Sequence, residues 1–463
     1  MLNKITAVTV LSCVVSALAF VKPVSAKITV ELEEPDWQFV MRQHHRDDHR
    51  ERISREEGEF IGRIQADLQA GNYSNVASAF ATQDISQFSP RLRELYGQVL
   101  LNEKNYSLAE KVLLDVIDAM PNLPSAHRSL SMAYLMTDKL AKARTHLTKS
   151  VELGIQDAQL FGQLAYTNVQ LGKPVTAIGA YQNALMLEPE NKQWYQGLLF
   201  ALIESNALAQ AESLLSEMLV DDESNQQLWL QRGQIALKQG DMVKALSSLE
   251  TALSLGDRSL SNLISVAKLH VSDGSPRRAA DILATHAKTF ITDKDGEGFD
   301  AYSKIAAYLA ANEQWSDLGK LTQAADNNVK KLTTSQAATL NVLKAQLAMG
   351  KGQSKTAISL LTKAIADAPD NGEALLSLAS LYRQQNNVER AKMTYLRAES
   401  LADVKQRAML GRAQIAIDQR QYQDALTLLR QVYKSYPSRG VRELIQPKFQ
   451  FAPKLVINAE MKQ

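Results

Sequence analysis

The sequence predicts an all-α fold, a solenoid of stacked helical hairpins, and three observations carry that prediction. Small residues return every 34 positions, at Ser131, Ala165, Gly233 and Ala267, with Leu199 the exception in the series. Twelve residues after each of these stands an alanine: Ala143, Ala177, Ala211, Ala245 and Ala279. After an interruption the beat resumes with Ala345, Ala379 and Ala413, and with Ala357, Ala391 and Ala425. Between the small sites, larger apolar residues recur at helical rather than strand spacing, as Leu160, Leu164, Leu171, Ile178, Tyr181 and Leu185 do. A fixed period of this length marks stacked copies of one supersecondary unit. The small residues have a steric reason. Two helices approach closely only where one presents little side chain, and a large residue there overpacks the contact at a cost of about 1–3 kcal/mol.

The block 158–191 shows how one unit is built. Gly172 breaks the chain between its two helices and Pro189 ends the second. With Leu164, Ala165, Gly172, Ala177, Tyr181, Ala184 and Pro189 in these places, the block resembles the tetratricopeptide repeat family. Block 372–405 is similar through Leu378, Ala379, Tyr382, Ala391, Tyr395 and Ala398. Block 226–259 carries Trp229, Gly233, Ala245, Leu249 and Ala252, and block 406–439 carries Ala413, Tyr422, Ala425, Leu429 and Pro437. Weaker copies begin near Glu57, Pro90, Pro124, Lys192, Leu260 and Ala338. Ile64 and Val76 occupy the small sites of the first copy, so that junction, like the one at Leu199, is expected to pack differently. The resemblance implies a right-handed superhelical solenoid of about ten or eleven hairpins that binds a guest. It says little about which guest.

In chain order, residues 1–26 read as a cleaved export signal. Lys4 precedes an apolar run, and Val24, Ser25 and Ala26 supply the small-residue cleavage pattern. Cys13, the only cysteine, sits in a faint lipoprotein-like setting, but the apolar run continues past it, so lipid anchoring is the lesser reading. Residues 27–56 form a charged lead-in, residues 57–293 the N-terminal repeats, and residues 338–439 the C-terminal repeats. Between them, residues 294–337 break the phase. They are expected to hold an irregular loop and a degenerate hairpin, residues 299–311 and 316–327, with Trp315 at its turn. Residues 440–463 leave the pattern, since Pro447 and Pro453 forbid a continuous helix. This segment is expected to cap the last repeat and end in a tail, because a terminal repeat lacks a neighbour for its outer face.

Removal of residues 1–26 takes away Cys13, Lys4 and Lys22, which excludes a disulfide framework and brings the formal charge from +2 to neutral. A neutral surface with interspersed charges argues against nucleic acid as partner. Nothing in residues 27–463 is apolar for long enough to span a bilayer. No nucleophile elbow, phosphate loop or paired His-Glu zinc motif occurs, so the expectation is a protein that is not an enzyme and uses no cofactor. Two weaker constellations remain. His44, His45 and His49 with Asp48 could ligate zinc or copper on a helix, since His45 and His49 lie four apart. Arg42, Arg46, Arg50 and Arg52 surround them, which favours a solvated charged helix and leaves metal binding, or a metal-dependent enzyme, as the alternative function. Asp293, Asp295 and Glu297 with Gly296 resemble the opening of a calcium loop, but Lys304 stands where its closing acid belongs.

The favoured binding site is the concave face. In the family register the second, fifth, ninth and twelfth residues of each first helix turn into the groove. The expected lining is Arg128, Met132 and Leu135, then Tyr166 and Val169, then Gln196, Phe200 and Ile203, and finally Leu230, Gln234 and Leu237. An apolar floor edged by glutamines suits a helix or extended peptide, with apolar anchors and amides that fix register. The alternative is that Met132, Phe200 and Leu230 fill the interior of a tight superhelix. The expected role is a periplasmic adaptor for an envelope assembly or export system, exopolysaccharide or pilus and secretion foremost, with protein partners.

Overall fold

The computed structural model describes residues 54–437 and Ile445. Among these residues there are 23 α-helices, two 3-10 turns and no strand. The chain divides into two compact units at Ile235 and Ala236. The export signal, most of the lead-in with its histidine cluster, and the tail lie outside the described residues.

The first unit is a series of helical hairpins: α1 (Arg55–Gln69) with α2 (Tyr73–Ala81), α3 (Pro90–Asn102) with α4 (Tyr106–Ala119), α5 (Pro124–Leu135) with α6 (Leu140–Glu152), α7 (Ala158–Gln170) with α8 (Pro174–Leu187), and α9 (Lys192–Glu204) with α10 (Leu208–Asp221). The division falls inside α11 (Gln226–Gln239). The second unit continues with α12 (Met242–Ser254), α13 (Leu260–Ser272), α14 (Pro276–Thr285), a short α15 (Ala287–Ile291), α16 (Glu297–Ala311), α17 (Trp315–Asp326), α18 (Thr334–Gly350), α19 (Ser354–Asp367), α20 (Gly372–Gln384), α21 (Val388–Glu399), α22 (Lys405–Asp418) and α23 (Tyr422–Ser435).

Local chemistry sets these boundaries. Proline opens α3, α5, α8 and α14, where its missing N–H is no loss. Side chains of Asn105, Asp157, Asn371 and Asn387 accept from free N–H groups of the first turn that follows. Each first helix then closes the same way. Gly172 N–H donates to Val169 O and Lys173 N–H to Asn168 O, the paired bonds of a Schellman end. The reversing residue is left-handed in every repeat, whether glycine or not. Gly71, Gly172, Gly240, Gly274 and Gly352 share this conformation with Lys104 (φ 57°), Asp138 (φ 54°), Asn206 (φ 61°), Glu313 (φ 56°), Asn386 (φ 57°) and Arg420 (φ 63°). The hairpin imposes the backbone, and more of these turns bear the strain with a side chain than relieve it with glycine.

Packing follows the small-residue rule. Ala143, Ala177, Ala211, Ala245 and Ala279 are all fully buried, as are Ala357 and Ala391. The first copy departs as its sequence indicates. Ile64 and Val76 are buried beside an aromatic cluster in which Phe60 and Phe80 meet edge-on at 4.8 Å and Phe80 stacks on Tyr96 at 4.6 Å. Glu57 seals the start of this cluster. Burial pushes its carboxyl up, but hydrogen bonds from Ser89 and Ser54 outweigh that and hold it below the ordinary value.

Successive hairpins are matched in size. Tyr181 of α8 covers Gly197 of α9 so closely that a Cβ there would meet its ring at 2.3 Å. Tyr395 of α21 covers Gly411 of α22 in the same way, also at 2.3 Å. Where the tyrosine position holds Leu147 or Leu215, the glycine position holds Gln163 or Gln231, both buried. In the second unit, α16 and α17 form a hairpin pinned by a bond from Tyr302 Oη to Leu321 O at 2.6 Å. The ring of Trp315 lies over Gly350 of α18, 2.5 Å from where a Cβ would be. The Asp293 loop is used locally: Asp293 accepts from the N–H of Gly298 at 2.9 Å and closes the turn into α16. Ile445 packs beside Met409 and Val432 of the last hairpin.

Candidate functional site

First helices of neighbouring hairpins touch in the first unit, α3 with α5 and α7 with α9, so that each pair presents a shared face. Helices end up side by side here because their small residues, Ser131 and Ala165 among them, are wholly buried against the second helices.

The sequence-derived lining separates into two groups on this face. Met132, Leu135 and Ile203 are 6%, 9% and 4% exposed, and so they serve the core. Leu237 is also buried and belongs to the second unit. Tyr166, Val169, Phe200, Leu230 and Gln234 are half-buried, and Gln196 is exposed. The helix α7 carries no ionised side chain at all. Phe200 thus keeps part of its ring open while its base packs, the condition of a preformed apolar anchor.

Arg128 is half-buried and donates to Asp157 Oδ1 at 3.2 Å. The same Asp157 oxygen accepts from Leu160 N–H at 3.1 Å and so caps α7. One carboxylate therefore starts a helix and ties it to the preceding repeat. A parallel tie runs from Arg144 Nε to Asn168 Oδ1 at 2.7 Å.

Sequence reasoning missed the aromatic layer beneath the face. Gly162 lies where groove lining was expected, yet Trp194 of α9 covers it, with ring atoms 2.3 Å from where a Cβ would be. Trp194 is 2% exposed and donates from Nε1 to Glu188 Oε2 at 2.9 Å. Phe161, Tyr195 and Trp229, one per repeat at the interval of 34, pack around the same cluster. Their regular spacing was the available signal. Trp229 donates to Glu223 O at 2.8 Å and holds the Arg232 guanidinium 5.3 Å above its ring.

Among the described residues, no group of three or more His, Cys, Asp and Glu side chains is placed to hold a metal ion, and no helix is long and apolar enough to cross a membrane. The metal alternative at His44, His45 and His49 lies outside the described residues.

Three tetratricopeptide-repeat family models match the chain: one over residues 169–235 and 348–402, a second over 226–255 and a third over 407–438. These stretches coincide with the hairpins built from the Gly and Ala register. The chain is a tetratricopeptide-repeat protein. A curated relative, cellulose synthase operon protein C of Xanthomonas axonopodis pv. citri (strain 306), is 23% identical over 364 residues, which is 73% of this chain and 24% of the relative. The tetratricopeptide chain therefore spans about a quarter of that relative's length. Solved structures with similar architecture include Naa15/Naa10 bound to HypK-THB, with a TM-score of 0.41 at 14% identity over 81% of this chain and 68% of that one. YrrB, described as a tetratricopeptide protein with an unusual peptide-binding site, has a TM-score of 0.35 at 17% identity over 37% and 88% of the two chains. Pseudomonas aeruginosa pilF has a TM-score of 0.33 at 15% identity over 46% and 96%.

Proposed function

We propose that this tetratricopeptide-repeat protein is a non-catalytic periplasmic adaptor in an envelope assembly or export system, with exopolysaccharide export foremost, and that it holds a peptide or helix of a protein partner on the face of α7, α9 and α11. The observation that carries the reading is the half-buried row of Tyr166, Val169, Phe200 and Leu230, edged by Gln196 and Gln234 on helices with few charges. A guest that lays apolar side chains along this row removes the remaining exposed area of each anchor. At about 25 cal/mol per Å², one aromatic side chain with roughly a quarter of its area still open contributes on the order of 1 kcal/mol, so several anchors act together. The amides of Gln196 and Gln234 supply direction rather than affinity. Arg128 enters as the shoulder of the site, held by Asp157.

The envelope location draws on the export-type residues 1–26 and on a relative encoded in a cellulose synthesis operon. Site-specific photocrosslinking from position 200 or 166 in cells, followed by identification of the captured polypeptide, tests the reading. Phe200→Glu is expected to abolish capture while helicity and melting stay close to wild type. Unfolding of that variant would show that Phe200 is a core residue, and capture of nothing from either position would end the proposal.

A further inference from the structure

The hairpin α5/α6 contains a polar pair that its neighbour α7/α8 lacks. His127 of α5 is 5% exposed and lies opposite His146 of α6. Their Nδ1 atoms are 2.9 Å apart, with ring centroids at 5.2 Å and the planes tilted by 26°. His127 Nε2 lies 2.9 Å from Pro121 O. A carbonyl can only accept, so His127 carries its proton on Nε2 and offers the lone pair of Nδ1. The donor between the rings is therefore His146 Nδ1–H. In the next repeat the two equivalent positions, 34 residues on, hold Phe161 and Ala180, which cannot titrate.

We propose that His127 and His146 form a proton-operated latch, which fastens α5 to α6 at neutral pH and releases that hairpin in acid. The bond between the rings needs one bare nitrogen, so the pair can hold one extra proton and remain joined. A second extra proton makes both facing nitrogens donors, and the contact opens. The surroundings oppose even the first proton. Burial, then the neighbouring His127, then Lys142 lower the His146 value from its ordinary 6.5 to about 4.

The other charged groups facing the pair are already committed. Lys139, which precedes α6, and Lys142 on α6 are paired with Glu110 of α4, and both stand over the Tyr134 ring of α5. Tyr134 itself lies 5.6 Å from the His146 ring, and burial, aided by Glu110, pushes its hydroxyl up to about 12, so it stays neutral throughout. Arg128 on α5 is paired with Asp157, and Arg144 on α6 is bound to Asn168 of α7. No carboxylate in this set is placed to welcome an imidazolium at His146. Release would loosen the segment from which Arg128 reaches the next repeat, and so couple acid to one end of the binding face.

The experiment is a pH titration of the histidine ring signals of the full chain by NMR, with amide hydrogen exchange read over the same range. His146 is expected to titrate about two units below an ordinary histidine. Exchange in residues 124–152 is expected to accelerate in acid, relative to the intrinsic rate, well before that in residues 158–187. A His146 that titrates near 6.5, or two hairpins that loosen together, would overturn the latch. His146→Gln, whose amide can still donate to His127 Nδ1, is expected to remove the selective acid loosening. If it loosens as the wild type does, the pair is not the sensor. If the variant does not fold, the wild-type titration and exchange still decide.

Discussion

Two kinds of junction between successive repeats of the first unit meet the same packing problem with different chemistry. Between α8 and α9, Tyr181 fills the gap and Gly197 yields to it. Between α6 and α7, and again between α10 and α11, the equivalent positions hold a smaller leucine and a longer glutamine: Leu147 with Gln163, and Leu215 with Gln231. The leucine–glutamine pair is bulkier than the tyrosine–glycine pair, and the two also differ in how their polar groups are satisfied. Gln163 and Gln231 are 1% and 6% exposed, and the Oε1 of each has no hydrogen-bond partner among the described residues. The Tyr–Gly junction is sterically tight, whereas the Leu–Gln junction buries an unsatisfied acceptor. Repeats that look equivalent by period thus differ in what holds them together.

The strongest way to break this comparison is to exchange one half of a pair. Gly197→Gln should cost about 3 kcal/mol, because the new side chain meets the Tyr181 ring from its first carbon onward. Adding Tyr181→Leu should recover most of the loss, measured as a coupling energy in a double-mutant cycle by urea unfolding. A double variant no more stable than the single one would show that the positions are not complementary.

A second test is acid. Hairpin α5/α6 carries the histidine pair where α7/α8 carries Phe161 and Ala180. The His146 value is lowered in the fold, so between its ordinary 6.5 and about 4 the unfolded chain binds more protons. Stability is therefore complete above about 6.5 and falls as the pH drops toward 4. The loss is expected to be on the order of 1 kcal/mol, with solvent at the half-open ring screening the rest. Thermal melts across that range, with His146→Gln as the flat control, measure it.

Gln163→Leu should stabilise the α6–α7 junction by about 1 kcal/mol, since it removes a buried acceptor at nearly constant volume. A destabilised variant would show that the amide has a partner in solution. The smallest effect is expected at the turns. Lys104→Gly should raise stability by roughly 0.5 kcal/mol, as relief of the left-handed strain slightly exceeds the added freedom of the unfolded chain, and Gly172→Ala should lower it by about 1 kcal/mol. Shifts of opposite sign at the two sites would sharpen the view that one backbone turn serves all repeats.

The fold class was legible because steric limits leave a periodic trace: an alanine that must be small is written as an alanine each time. The turns were only half legible. Gly172 announces a left-handed residue, whereas Lys104 and Arg420 adopt the same conformation under tertiary constraint and carry no local mark. The face was legible as a stripe but not in depth. Periodicity places Met132 and Phe200 on one side of their helices, yet how far the neighbouring helix covers each depends on packing between repeats, and it closes over Met132 while leaving Phe200 partly open. The histidine pair had no motif to betray it. Its members are 19 residues apart and meet only because two helices fold back on one another.

The tyrosine–glycine match also gives the array a grammar. Residues 158–191 could be excised as one whole period, and every helix would stay in phase. The splice would nonetheless set Leu147 against Gly197 and open a hollow. Removing residues 192–225 would drive Tyr181 into Gln231. Modules of identical length are therefore not interchangeable words: each ends with a shape that only its successor completes, and their order is inherited along with their number.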